Sequence, residues 1–188
     1  MQLKLILMSS LLIHGCAALD TAPKIHASAY ERRPENILNI DKTIETDIGS
    51  ELNANKKLLR GSHLSIDAYN RAVLLTGEVP SLSIKQKITS LVRVIKPIKQ
   101  VYDYLTIEQA TDLNSRAVDI KITQDVQNAF KQIHGSKTFH ADAVKVITTH
   151  QVVYLMGLVH YDEGEIVIKL ARLQANVQGV VTLFEYLD

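Results

Sequence analysis

Val73-Leu-Leu-Thr-Gly-Glu-Val79 returns eighty residues later as Val153-Tyr-Leu-Met-Gly-Leu-Val159, and this repetition decides the fold. In both stretches apolar residues alternate around a central glycine, the pattern of a β-strand buried on at least one face. Self-similarity at that spacing divides the 188-residue chain into two domains of about 70 residues each behind an N-terminal extension. Cores that small are marginal, so the two domains are expected to pack on one another.

Working outward from the first copy, Ile44, Ile48 and Leu52 recur every four residues and predict an amphipathic helix, with Asn39 or Asp41 as its N-cap. His63 to Tyr69 and Ala72 to Val79, joined by Asn70-Arg71, read as a hairpin in which Asn70 tolerates the positive φ of a tight turn. Ser81 caps a second helix with Ile84, Ile88, Leu91, Val92 and Ile95 on one stripe, and Ile98 to Ile107 closes the unit as a last strand. A glycine inside a strand marks a bulge or a close approach, so Gly77 and Gly157 are packing positions. A helix crossing the sheet is the expected neighbour of Gly77, in preference to a ligand loop, since the strand has no phosphate-cradling pattern.

After a polar connector the pattern restarts. Ile122, Val126, Phe130 and Ile133 define a helix capped near Asp119, Ala143 to Thr148 and Gln151 to Val159 form the hairpin, and Asp162 caps a helix carrying Ile166, Leu170 and Leu173. Gly179 to Leu187 closes the second unit. The predicted class is α+β, each domain a three-stranded mixed sheet with two helices on one face. One asymmetry stands out: Val152, Tyr154, Met156 and Leu158 make the second face of the later strand apolar, whereas the earlier strand places Thr76 and Glu78 there. A strand apolar on both faces needs cover on both; the first domain or its neighbouring segments are the expected cover, with a protein partner as the rival.

Composition narrows the function. Twenty-one Lys and Arg against twenty Asp and Glu leave no field to attract a nucleic acid. Residues 39 to 108 are slightly basic and residues 112 to 188 slightly acidic. Cys16 is the one cysteine, so the folded part has no disulfide, thiolate nucleophile or sulfur metal site. His134, His140, His150 and His160 lack helical i, i+4 pairing, and no triad order, paired-carboxylate motif or phosphate loop is present. Neither an enzyme nor a cofactor, metal or small-molecule substrate is expected.

At the N-terminus Lys4 precedes a short apolar run from Leu5 to Ile13, too brief to span a bilayer and consistent with a signal peptide. Ile13-His14-Gly15-Cys16 resembles the lipobox of bacterial lipoproteins, which implies removal of residues 1–15 and acylation of Cys16. The three chains of such a cysteine exceed the two signals needed for stable attachment. Ala17, where an Asp would retain a lipoprotein at the inner membrane, implies the outer membrane, facing the periplasm. Residues 16–38 read as a mostly extended tether, followed by domains at 39–108 and 118–188 with a linker at 109–117.

Two strand-Gly repeats, the helix start Ile122-Thr123-Gln124-Asp125-Val126, the closing Gly179-Val180-Val181-Thr182 and the lipobox together resemble the BON domain family, over residues 36 to 188. The resemblance implies no catalysis, attachment to the outer membrane, recognition of anionic phospholipid by the second domain, and a role in envelope integrity and division-site localisation. By that likeness the lipid-facing residues are Lys121, Ile122, Gln124, Asp125 and Asn128. Lys121 stands where the dual-domain lipoproteins carry a Trp, and its stem can snorkel toward a lipid phosphate. Read from the residues, Lys56, Lys57 and Arg60 around Leu58 and Leu59 are either a solvated loop after the helix or a second basic and apolar patch suited to a membrane surface. The alternative is a periplasmic or stress-related adaptor that acts through an envelope protein partner.

Overall fold

The structure, a computed structural model, describes residues 32–133 and 139–187; the signal peptide, Cys16 and the tether up to residue 31 lie outside them. The first half runs α1 (Glu35–Ala54), α2 (Lys56–Leu59), β1 (His63–Tyr69), β2 (Ala72–Val79), α3 (Leu82–Arg93) and β3 (Gln100–Ile107). The second runs α4 (Leu113–Lys131), a short 3-10 turn (Ala141–Ala143), β4 (Val144–Thr149), β5 (Val152–Val159), α5 (Tyr161–Arg172) and β6 (Gly179–Tyr186). In each half the middle strand pairs antiparallel with its hairpin partner and parallel with the closing strand. Both sheets are therefore mixed and three-stranded, as expected from the repeat. Ile44, Ile48 and Leu52 of α1 bury against Val73, Leu75, Val79, Ile88 and Val92; Ile122, Val126 and Phe130 of α4 do the same against Val153, Leu155, Val159 and Val167.

The helix starts differ from expectation, and the difference has a physical cause. α1 begins at Glu35 behind Pro34, absorbing the end of the expected tether, and α4 begins at Leu113 with Asp112 accepting from Ser115 N–H, absorbing most of the expected linker. Asp41 and Asp119 are thus interior helical residues and not caps. Each one holds its own hairpin turn: Asp41 accepts from the Asn70 and Arg71 amides, both at 2.7 Å, and Asp119 from those of His150 and Gln151 at 3.0 and 2.8 Å. All four turn residues have positive φ, the geometry of a two-residue turn that normally selects Asn or Gly. The carboxylate clamp offsets the strain of placing Arg, His and Gln there.

The neighbour of Gly77 is a strand and not a crossing helix. With φ +106°, a Cβ at Gly77 would fall 2.0 Å from the His63 carbonyl oxygen of β1, and one at Gly157 would fall 2.8 Å from that of Ala143. The glycines let the start of each hairpin close on its partner. In α5 the buried stripe is Gly164, Val167 and Ala171, leaving Ile166 and Leu173 exposed, a correction to the expected stripe. Small residues prevail because the helix lies close on β6, where a Cβ at Gly164 would meet the Tyr186 and Phe184 rings at 3.3 and 3.6 Å.

The two sheets pack face to face with helices outside. A third apolar cluster joins Tyr69, Ala72 and Leu74 to Ile147, Tyr154 and Met156, so the apolar second face of β5 does cover the first domain. β2 is buried along its whole length, and its polar residues Thr76 and Glu78 are fully enclosed. Thr149 donates to Thr76 across the interface at 3.1 Å. Glu78 accepts from the Thr111 amide and hydroxyl at 3.2 and 3.3 Å and lies 3.2 Å from His63 Nδ1 and 3.0 Å from His150 Nε2. Lys145 of β4 pairs with Glu45 and Asp67 of the first domain at 2.8 and 3.0 Å. Burial alone would lower the Lys145 pKa, but Asp67 and Glu45 outweigh it and hold the ammonium above its ordinary value.

Candidate functional site

The sequence candidates fall on two separate outward surfaces. On α4, Ile122 is 1% exposed within the second core and offers no outward surface, a correction to its expected lipid-facing place that follows from its sharing the stripe of Val126 and Phe130. Gln124 and Asn128 are exposed. Lys121 is 72% exposed, but both oxygens of Asp125 receive its ammonium at 3.0 and 2.9 Å. That i, i+4 pair leaves little net charge to offer an anion. Among its polar exposed residues α4 also presents large apolar ones: Leu113 is 79% and Ile120 60% exposed, and both lie on the side of the helix opposite Ile122.

In the first domain α1 ends at Ala54, and the single turn α2 and the helix α3 line one groove. Leu58 and Leu59 turn inward onto the core, which leaves Lys56, Lys57 and Arg60 in solvent. The resulting groove, of about 940 Å³, is lined by Ala54, Lys56, Lys57, Leu58, Lys87 and Leu91 among others. Lys85, one turn from the groove, is taken by Leu105 O and Asp103. Lys56, Lys57, Arg60 and Lys87 form no ion pair among the described residues.

Lys87, Leu113 and Ile120 escaped the sequence reading. A signal for Lys87 was present: no acidic residue occurs between Glu51 and Asp67, nor between Glu78 and Asp103, and the groove is where these two acid-free stretches meet. For Leu113 the signal was masked, because its segment read as connector. No described group of His, Cys, Asp or Glu fits a metal ion, and no described helix is long and apolar enough to cross a membrane.

Comparison with known proteins agrees with this architecture. The chain is 24% identical over 189 aligned residues, covering all of it and 96% of the relative, to the outer membrane lipoprotein DolP of Haemophilus influenzae. It is 22% identical over 148 residues, 79% of this chain and 75% of the relative, to a 21 kDa hemolysin of Actinobacillus pleuropneumoniae. Among solved structures, CdsD of the type III secretion system of Chlamydia trachomatis aligns over 70% of this chain and 90% of its own, at 11% identity and a TM-score of 0.31. The whole-length likeness to an outer membrane lipoprotein accords with the lipid-anchored outer-membrane address read from the N-terminus. The BON domain profile matches residues 40–109 and again 119–188, and the chain belongs to the BON domain family, of which it carries two tandem copies.

Proposed function

We propose that this dual-BON lipoprotein, anchored through Cys16, binds anionic phospholipid with its first domain and thereby supports the integrity of the envelope. The observation that carries this reading is a set of cations in no ion pair among the described residues: Lys56, Lys57 and Lys87 line one groove together with Ala54, Leu58 and Leu91, and Arg60 is exposed just beyond Leu58 and Leu59. Cations of this kind attract an anionic leaflet by about 1 kcal/mol each near its surface. The second domain, to which the family resemblance assigns lipid, supports contact of another kind at the expected lipid-facing residues, because Lys121 is paired with Asp125 and the same helix exposes Leu113 and Ile120. Extended chain from Cys16 to Arg32 reaches at most about 55 Å, so the anchor keeps both surfaces near one leaflet and raises the effective concentration of weak contacts.

Flotation of the chain lacking Cys16 with phosphatidylglycerol vesicles at low salt tests the proposal. The parent is expected to float with these and not with phosphatidylcholine vesicles, and Lys56→Glu/Lys57→Glu/Lys87→Glu to remain at the bottom. Flotation lost instead in Leu113→Ser/Ile120→Ser and retained in the charge variant would move the site to α4. A parent that binds neither vesicle removes lipid from the reading, and lipid-independent cross-linking to one envelope protein would favour the adaptor.

A further inference from the structure

The two residues before Pro34, the residue that opens α1, each grip a different domain. Arg32 sends both guanidinium nitrogens to the carboxylate of Glu163, at 2.7 Å each, and Nη1 also donates to Leu158 O at 2.6 Å; both partners belong to the second domain. Arg33 donates to Asp41 of the first domain at 2.8 Å and stacks 3.7 Å above the ring of Tyr69. Tyr69 is itself the bridge between sheets, its hydroxyl donating to Ala143 O at 2.9 Å and accepting from Leu158 N–H at 3.2 Å. A two-pronged guanidinium-carboxylate pair is the strongest of the ordinary side-chain hydrogen bonds. Here it stands at the seam, with Glu163 buried.

We infer that Arg32 and Arg33 form a clasp that holds the two domains closed, so that the segment leading to the lipid anchor is a third component of the domain interface. Successive residues of one strand of chain cannot remain bound to both domains if the sheets part. Domain pairing and tether seating are therefore one equilibrium: a tether drawn away from the seam releases Glu163 and Asp41 together and exposes the face between the sheets. This coupling is independent of whether the groove binds lipid.

The test uses thiol labelling of the full lipidated chain in detergent, where Cys16 is the only native cysteine and is blocked by its lipid. Thr76→Cys places a thiol in the closed face between the sheets, and Val73→Cys places one inside the first domain's own core, both positions having no exposed surface. With Arg32→Gln/Arg33→Gln added, Cys labelling at position 76 is expected to rise about tenfold or more, the scale of losing charge-assisted hydrogen bonds, while labelling at position 73 stays slow. Arg32→Lys/Arg33→Lys, which keeps charge but loses the fork and the stacking, should fall between. Equal rates at position 76 in parent and Gln variant overturn the clasp, and so do rates that rise in step at 73 and 76, which mean that the arginines stabilise the fold as a whole.

Discussion

The interface between the sheets has two ends built from equivalent positions of the repeat, and they use opposite chemistry. The hairpins meet head to tail. At one end Tyr69, just before the first turn, reaches Leu158, just after the second central glycine. At the other, Thr149 and His150, at the second turn, reach Thr76 and Glu78, which flank the first central glycine. Tyr69 therefore corresponds to Thr149, and Glu78 to Leu158. One end is an aromatic plug whose hydroxyl satisfies backbone groups; the other is a buried carboxylate between two histidines. Two copies of either domain alone would set both ends alike, tyrosine against glutamate or threonine against leucine. The divergence makes the pairing specific to one of each, the role for which buried polar groups are best attested.

The largest test of this contrast is Tyr69→Ala. It removes a buried aromatic and strands Leu158 N–H and Ala143 O, and denaturant unfolding should register a loss of about 3 to 5 kcal/mol. Tyr69→Phe keeps the plug and should lose about 1 to 3 kcal/mol, the cost of unsatisfied buried amides. If the phenylalanine variant matched the alanine one, the hydroxyl and not the ring would be what closes that end. At the charged end Glu78→Gln retains a carbonyl for Thr111 but surrenders the charge facing His63 and His150; about 1 to 2 kcal/mol is expected.

The smallest effect belongs to Lys145. Its pKa is raised on folding, so its contribution is fully present below the unfolded value, near 10.4, and disappears as pH climbs through the higher folded value. Screened and part-exposed, it is worth no more than about 1 kcal/mol. Comparing unfolding midpoints of parent and Lys145→Met from pH 8 upward should show a gap that narrows above about pH 10.4; a constant gap would mean that packing of the lysine stem, not its charge, stabilises the interface.

Most of the fold was legible in the residues because period-2 alternation and four-residue spacing survive duplication. The two-sided apolar strand at Val152 to Leu158 also foretold the sheet-to-sheet contact. What could not be read was the partner face: nothing in one dimension shows that Thr76 and Glu78 are enclosed, with Thr149 and His150 supplied by the other domain and Thr111 by the connector. Asp41 and Asp119 were misread for a related reason. A carboxylate near a helix start is ordinarily a cap, and only the folded hairpin reveals that it serves a turn about thirty residues away. The candidate site was half legible: Lys56, Lys57 and Arg60 were read from local composition, whereas Lys87 joins them only through the packing of α2 on α3.

The helix clamps and the strand glycines also act as two rulers along the chain. From Asp119 to Gly157 is two residues longer than from Asp41 to Gly77, and between those fixed points helix and hairpin are held by the same contacts in both copies. The insertion or deletion that separated the copies therefore fell in the connection from first helix to first strand, the stretch that in the first domain becomes α2 and one wall of the groove. In evolutionary terms that connection is the part that changed length while the helix clamps and strand glycines kept their spacing, and a graft of it between domains would carry Lys56, Lys57 and Arg60 with it.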